Sequence, residues 1–271
     1  MKNTLHITNG LAESTEDKTL RSNLLVDTTV TLNMKVKKRW IFLSSTIVLF
    51  GLLSIPELTH TNAGQSESIG SVRKGKLKNG WLMPFEGNNY RYFSRFSYYI
   101  LNNAYVNSRV YATLTEAYKE CETTCPDREF ILMECTRKHG GRMLIHWTHQ
   151  NGTSVDFMVP KKRSDDNTII SNHAGMAHYL LQFNQDGQHA LNHKTVIDFE
   201  SMAKHLLALD DAAKRNGLRI HKILFNTHMH DELFNTPSGR KLQERNIPIR
   251  PHLSDLINRY HDDHYHVDFD L

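Results

Sequence analysis

The sequence predicts an α+β fold, a small and mainly antiparallel sheet flanked by helices, and three stretches carry that prediction. In His264-Tyr265-His266-Val267-Asp268-Phe269-Asp270 polar and apolar residues alternate, the period of a strand with two unlike faces. Phe199, Met202, Ala203, Leu206, Leu207 and Leu209 recur at helical spacing. Asp198 stands ahead of them as an N-cap and Gly217 behind them as a stop. Glu129 to Met133 reads as a strand, His139-Gly140-Gly141 as a turn, and Arg142 to Thr148 as the returning strand of a hairpin.

Taken in chain order, residues 1–33 are polar, rich in Thr, Asn and Ser, and show no core pattern. Met34 to Trp40 is strongly basic, an apolar run follows from Ile41 to Ile55, and small residues come at Thr61-Asn62-Ala63. That order of parts is the anatomy of a secretory signal, and the apolar run is short for a bilayer span of ~20 residues. Residues 1–63 are therefore read as an extension plus an export signal that effectively begins at Met34, and residues 64–271 as the functional domain. The expected location is the cell envelope or periplasm, with a retained membrane anchor through residues 41–55 as the alternative. From Gly64 to Gly87 the chain is loop-like and punctuated by glycine and proline. Tyr90 to Leu101 is aromatic-rich and is expected to pack as a helix, as is Ala112 to Glu122. Val155–Val159 and Arg219–Asn226 read as strands. Lys161 to Lys194 reads as a long polar surface excursion, a kind of segment that often serves function, here as a wall of a cleft.

With 33 basic and 29 acidic residues, and 17 histidines besides, the chain is only mildly positive. No basic stripe interleaved with aromatics appears, which argues against nucleic acid as a partner. The charge is compatible with an anionic polymer. Cys121, Cys125 and Cys135 have no fourth ligand at zinc-site spacing, so one disulfide and one free thiol are expected.

The chemistry concentrates in two places. The polar face of the last strand would bring His264 and His266 to one ion or one substrate, and desolvation of imidazole opposes placing them there for stability alone. A catalytic metal takes three protein ligands and keeps an open position, so a further partner is needed. His149 and Asp156, flanking the turn-like Asn151-Gly152, supply the right donor types. A different candidate, Thr227-His228-Met229-His230-Asp231-Glu232, is similar to a binuclear metallohydrolase signature, but no histidine follows Asp231 and the pattern is broken. It reads instead as the end of a strand leading to a helix.

The pairing of His149-Gln150-Asn151-Gly152-Thr153-Ser154-Val155-Asp156 with His261-Asp262-Asp263-His264-Tyr265-His266 resembles the penicillin-insensitive murein endopeptidases. These belong to a wider group of zinc metallopeptidases that includes lysostaphin, D-Ala-D-Ala carboxypeptidases and the hedgehog signalling domain. Ser68-Ile69-Gly70-Ser71, Gly75-Lys76-Leu77 and Leu82-Met83-Pro84 are similar to that family's opening segment, so the resemblance runs from Ser68 to Phe269. It implies a hedgehog- or D-Ala-D-Ala-peptidase-like fold with zinc held by His149, Asp156 and His266. It further implies that His264 acts on the catalytic water with His261 assisting, and that His146 contacts a second metal. The implied substrate is the amide bond between D-alanine and a diamino acid in peptidoglycan stem peptides. Two residues depart from the family pattern: Ser154 stands where an aspartate is usual, and Asp263 replaces an aromatic residue. A murein carboxypeptidase on the same fold, or a non-catalytic zinc-stabilised module binding wall peptides, would use the same metal set. The spare imidazoles of His261 and His264 favour the enzyme.

If residues 1–63 are an export signal and its extension, N-terminal sequencing of the protein from the envelope fraction will begin after Ala63. An intact Met1 form, soluble in the cytoplasm, would contradict export.

Overall fold

The alternation at the C-terminal end is built as expected: His264–Asp270 is a strand whose Tyr265, Val267 and Phe269 enter the core. The structure, a computed structural model, describes residues 55–143, 146–170 and 175–271, together with Met34, 36–38, Trp40, Ile41 and Ser44. The chain divides into two units, Met1–Ser54 and Ile55–Leu271. The described residues of the first unit are helical and exposed. The expected extension and most of the expected signal lie outside the described residues. Among the described residues no helix is long and apolar enough to cross a membrane.

In the second unit the strands are β1 (Glu67–Ser71), β2 (Lys74–Lys78), β3 (Trp81–Leu82), β4 (Tyr90–Tyr92), β5 (Tyr105–Val106) and β6 (Phe130–Leu132). They continue with β7 (Ser154–Met158), β8 (Lys161–Arg163), β9 (Ile169–Ile170), β10 (Thr195–Ile197), β11 (Arg219–Leu224) and β12 (His264–Asp270). The longer helices are α1 (Ser108–Thr124), α2 (Phe199–Arg215) and α3 (Pro237–Glu244). The main sheet has the order β11-β12-β7-β6-β4. Its pairs are antiparallel except β4 with β6. The fold is α+β.

One face of this sheet packs on α1 and α2. Asp198 caps α2 by accepting from Ser201 N at 3.2 Å, and Asn107 caps α1 by accepting from Arg109 N at 2.9 Å. Such caps satisfy N–H groups that a helix start leaves without partners. Gly217, at φ +65°, ends α2 while Leu218 N reaches back to Ala213 O at 2.7 Å, a left-handed closure that glycine tolerates at no steric cost. The stripe of α2 buries Met202, Ala203, Leu206 and Leu209 against Tyr265, Val267 and Phe157 in a single core.

Two elements differ from expectation. Tyr90–Leu101 is not one helix: β4 comes first and a π-helical turn, Phe96–Leu101, follows. The alternation of buried Tyr90 and Tyr92 around Arg91 suits a strand. Nor do the described residues of Arg142–Thr148 form a returning strand. Gly140 and Gly141 sit at φ +70° and +84°, and His149 at φ +63°, so the backbone coils rather than extends. Its donors and acceptors go to the β1–β2 hairpin instead, with Leu77 N donating to His139 O and Gln150 N to Val72 O. The edge of β6 is taken by β4. The cysteines also differ: Cys121, Cys125 and Cys135 are all buried and free, and no disulfide forms among them.

His205 lies inside the helix–sheet layer, fully buried, with Nδ1 2.7 Å from the Tyr265 hydroxyl. Burial lowers its pKa to about 3. Because the unfolded chain titrates near ~6.5, the neutral His205 contributes stability that is complete above that value. The contribution is lost as pH falls from about 6.5 through about 3. His205→Phe should therefore be less stable than the parent by about 1–3 kcal/mol near neutral pH, where Tyr265 loses its partner. Urea unfolding near pH 4 should show a smaller gap; a gap independent of pH would mean His205 does not titrate on unfolding.

Candidate metal centre

The face of the sheet away from α2 carries the chemistry. In the β7–β12 register His266 stands opposite Asp156, and Asp268 opposite Ser154. Directly opposed residues bring their side chains together on one face. The fit is close: His266 Nδ1 lies 2.7 Å from Asp156 Oδ1. The other oxygen of that carboxylate faces the preceding loop, with Oδ2 3.2 Å from His149 Nε2 and 3.7 Å from His146 Nδ1. One buried carboxylate thus joins three imidazoles.

His146, His149 and Asp156 could hold a metal ion, their ligand atoms lying within 4.8 Å of one another. His149 makes the strongest physical case. It is 0% exposed, its Nδ1 has no hydrogen-bond partner, and its Nε2 meets Asp156 Oδ2 at 3.2 Å without hydrogen-bond geometry. Leaving buried polar atoms unpaired costs roughly 1–3 kcal/mol each, and an ion shared with Asp156 would remove that cost at Nε2. The backbone is shaped to present this ring: His149 adopts a left-handed conformation, and the Thr136 hydroxyl donates to its carbonyl oxygen. Imidazoles and a carboxylate are donors that first-row divalent metals accept.

Electrostatics favour an ionised Asp156 and a cationic His266, with His146 kept neutral. Burial opposes ionisation of Asp156, but His149 and His266 outweigh it and hold the carboxyl well below its usual range. His266 is likewise disfavoured as a cation by burial, yet the Asp268 and Asp156 carboxylates push its pKa up to about 10. Burial, with His149 adding to it, depresses His146 to about 3.

Each predicted site residue falls in this region. His261 and His264 stand beside the group with ring centroids 4.8 Å apart, and His261 is 6.4 Å from His266. His261 directs Nδ1 to Ile257 O at 2.7 Å. His228 and His230 belong to no metal-ligand group among the described residues, and His230 donates to Phe225 O at 3.2 Å.

Several residues here were not singled out by the sequence. Asp268 Oδ1 is 2.8 Å from His266 Nε2, which fixes the ring so that Nδ1 faces Asp156. Ser154 donates to the same oxygen of Asp268, and Lys222 Nζ lies 2.8 Å from the other. Ser154 therefore acts by holding the carboxylate that holds His266. Glu134 is buried just beyond β6, its carbonyl accepting from Asp156 N at 2.9 Å. Burial pushes its carboxyl up to about 7, against hydrogen bonds from Ser97 and Asn103. A single glutamate in the apolar run Phe130–Cys135 was the only signal of it. The Lys161–Lys194 excursion is not confined to the surface: Lys161 and His178 are buried. The ring of Tyr179 approaches His264 to 6.1 Å, its hydroxyl buried without a partner.

Compared with known proteins, the chain matches no family model and no characterised protein.

The contact between Asp268 and His266 can be tested directly. Residues that orient a metal-ligating histidine typically contribute 10–100-fold in affinity. Asp268→Asn should weaken zinc binding by about that factor in a chelator competition. Lys222→Met, which touches Asp268 but not His266, should change it little. Equal affinities in the parent and Asp268→Asn would remove Asp268 from the site.

Proposed function

We propose that this protein is an exported zinc metallopeptidase that hydrolyses an amide bond in peptidoglycan cross-links. The observation that carries the reading is the meeting of His149, Asp156 and His266 around one buried carboxylate, with His261 and His264 left over beside them. A pure binding module has no use for two spare imidazoles next to a complete ligand set. The α+β sheet beneath the site is compatible with the hedgehog- and D-Ala-D-Ala-peptidase-like fold that the motifs imply.

In this reading His149, Asp156 and His266 hold the zinc, and His146 is positioned to contribute to the same centre or to a second ion. Zinc, when bound, supplies a Lewis acid that activates water and polarises the scissile carbonyl. His264 accepts a proton from the attacking water and passes it to the leaving amine, the work of a general base and then a general acid. His261 orients the substrate or stabilises negative charge that develops on the carbonyl oxygen. Were zinc bound, His266 would give up the Nδ1 proton that it shares with Asp156, and Asp268 would accept from Nε2–H and fix the ring. The partners are stem peptides of the wall, with the bond between D-alanine and a diamino acid as the proposed target.

Digestion of purified cell-wall sacculi by the zinc-loaded protein, followed by muropeptide analysis, tests this. The parent should convert cross-linked dimers to monomers. His149→Ala should lose both zinc and activity. His264→Ala should keep its zinc and lose about 10²–10⁴-fold in turnover, the usual contribution of a positioned general base. Zinc-loaded parent protein that binds sacculi without cutting them would sink the peptidase reading and leave the binding module.

A further inference from the structure

Asp263 departs from the family pattern, and the structure gives it two partners. Its Oδ1 is 2.6 Å from His264 Nδ1, and its Oδ2 is 2.9 Å from His178 Nδ1. His178 Nε2 in turn is 3.1 Å from Lys161 Nζ. The chain Lys161–His178–Asp263–His264 is closed to solvent: the four residues are 3%, 0%, 3% and 5% exposed. Both ends are pinned by backbone. Arg128 Nη1 donates to Lys161 O at 2.7 Å, and Val159 N donates to Asp263 O at 3.0 Å.

The order of donors and acceptors selects one arrangement. An ammonium can only donate, so a charged Lys161 makes His178 Nε2 an acceptor and places the proton of that ring on Nδ1. Asp263, a carboxylate, accepts from His264 Nδ1–H at Oδ1, while His178 Nδ1 lies within ion-pair reach of Oδ2 at 2.9 Å without meeting it in a hydrogen bond. The consequence falls on the far side of the His264 ring, where Nε2 keeps its lone pair. A buried carboxylate that accepts a ring N–H fixes ring orientation as well as tautomer, as the aspartate of a Ser-His-Asp triad does, and the His178 contact holds that carboxylate from its other side.

We propose that Asp263, His178 and Lys161 are positioning residues that hold His264 in the Nδ1–H tautomer with Nε2 directed into the site. The Lys161–Lys194 excursion thereby carries part of the machinery across to β12. The proposal rests on the peptidase reading for its catalytic meaning, but its geometry can be tested without activity.

The experiment uses the zinc-loaded full-length chain with ¹⁵N-labelled histidine. Ring nitrogen shifts give the tautomer of each histidine, and His264 is assigned from its absence in His264→Gln. The parent should show His264 as Nδ1–H. Asp263→Asn offers an amide donor in place of an acceptor and should move His264 to Nε2–H or to a mixture. It should keep zinc content and KM while kcat on muropeptide dimers falls by about 10²–10⁴-fold. Lys161→Met retains the packing stem and should give a partial tautomer shift with a loss of about 10–100-fold; it also serves if Asp263→Asn folds poorly. His264 remaining wholly Nδ1–H in both variants would overturn the proposal, whatever the activity. A tautomer shift in a parent protein that cuts no wall would uphold the positioning network and overturn the peptidase reading alone.

Discussion

Asp156 sits 1% exposed in the middle of the sheet, directly across from His266 on the neighbouring strand. A carboxylate in that place is expensive unless every lone pair is engaged, and this requirement organises what surrounds it. Oδ1 is engaged from the strand, by His266, and Oδ2 from the loop, by His149 and His146. Loop and sheet are thereby held in one relation, with His146 and His149 brought to an oxygen that the sheet places.

The same need propagates outward. His266, drawn to Asp156 through one nitrogen, requires an acceptor at the other, and Asp268 supplies it two residues along the same strand face. Asp268 in turn is held by Ser154 and Lys222. His264 repeats the pattern with Asp263, which leans on His178 and Lys161. Histidines on β12 are thus each backed by an aspartate, and each aspartate by groups from another segment. Buried polar networks of this kind are stable only when every member is satisfied. Satisfaction is incomplete at several atoms here, among them the His149 ring nitrogens, His178 Nδ1 and Asp263 Oδ2.

Legibility in the sequence followed the range of the interactions. β12 was readable because one strand carries both its core residues and its chemical residues, and period-two alternation separates them within seven positions. α2 was readable from its stripe, from Asp198 and from Gly217, all local signals. The loop before β7 was not. Its course depends on His149 in a left-handed conformation that only tertiary contacts enforce, so a run rich in β-forming residues looked like a strand. Lys161 and His178 were hidden for a different reason. They belong to a polar stretch that reads as solvent-facing, and only the arrival of Asp263 from β12's approach makes burial tolerable for them. Asp263 itself was visible in the run His261-Asp262-Asp263-His264, but its meaning required the partner.

The shared strand has a consequence for how the chain reaches its native state. Shifting β12 by one residue against β7 would exchange its two faces, turning Tyr265, Val267 and Phe269 into the cleft and the histidines into the helix layer. Such a species would bury imidazoles among aromatics and leave apolar rings among carboxylates, losing its core and its ligand set together. A one-residue slip therefore cannot keep a sound interior while displacing only the site. The core contacts of β12 and the placing of His266 against Asp156 are set by the same register.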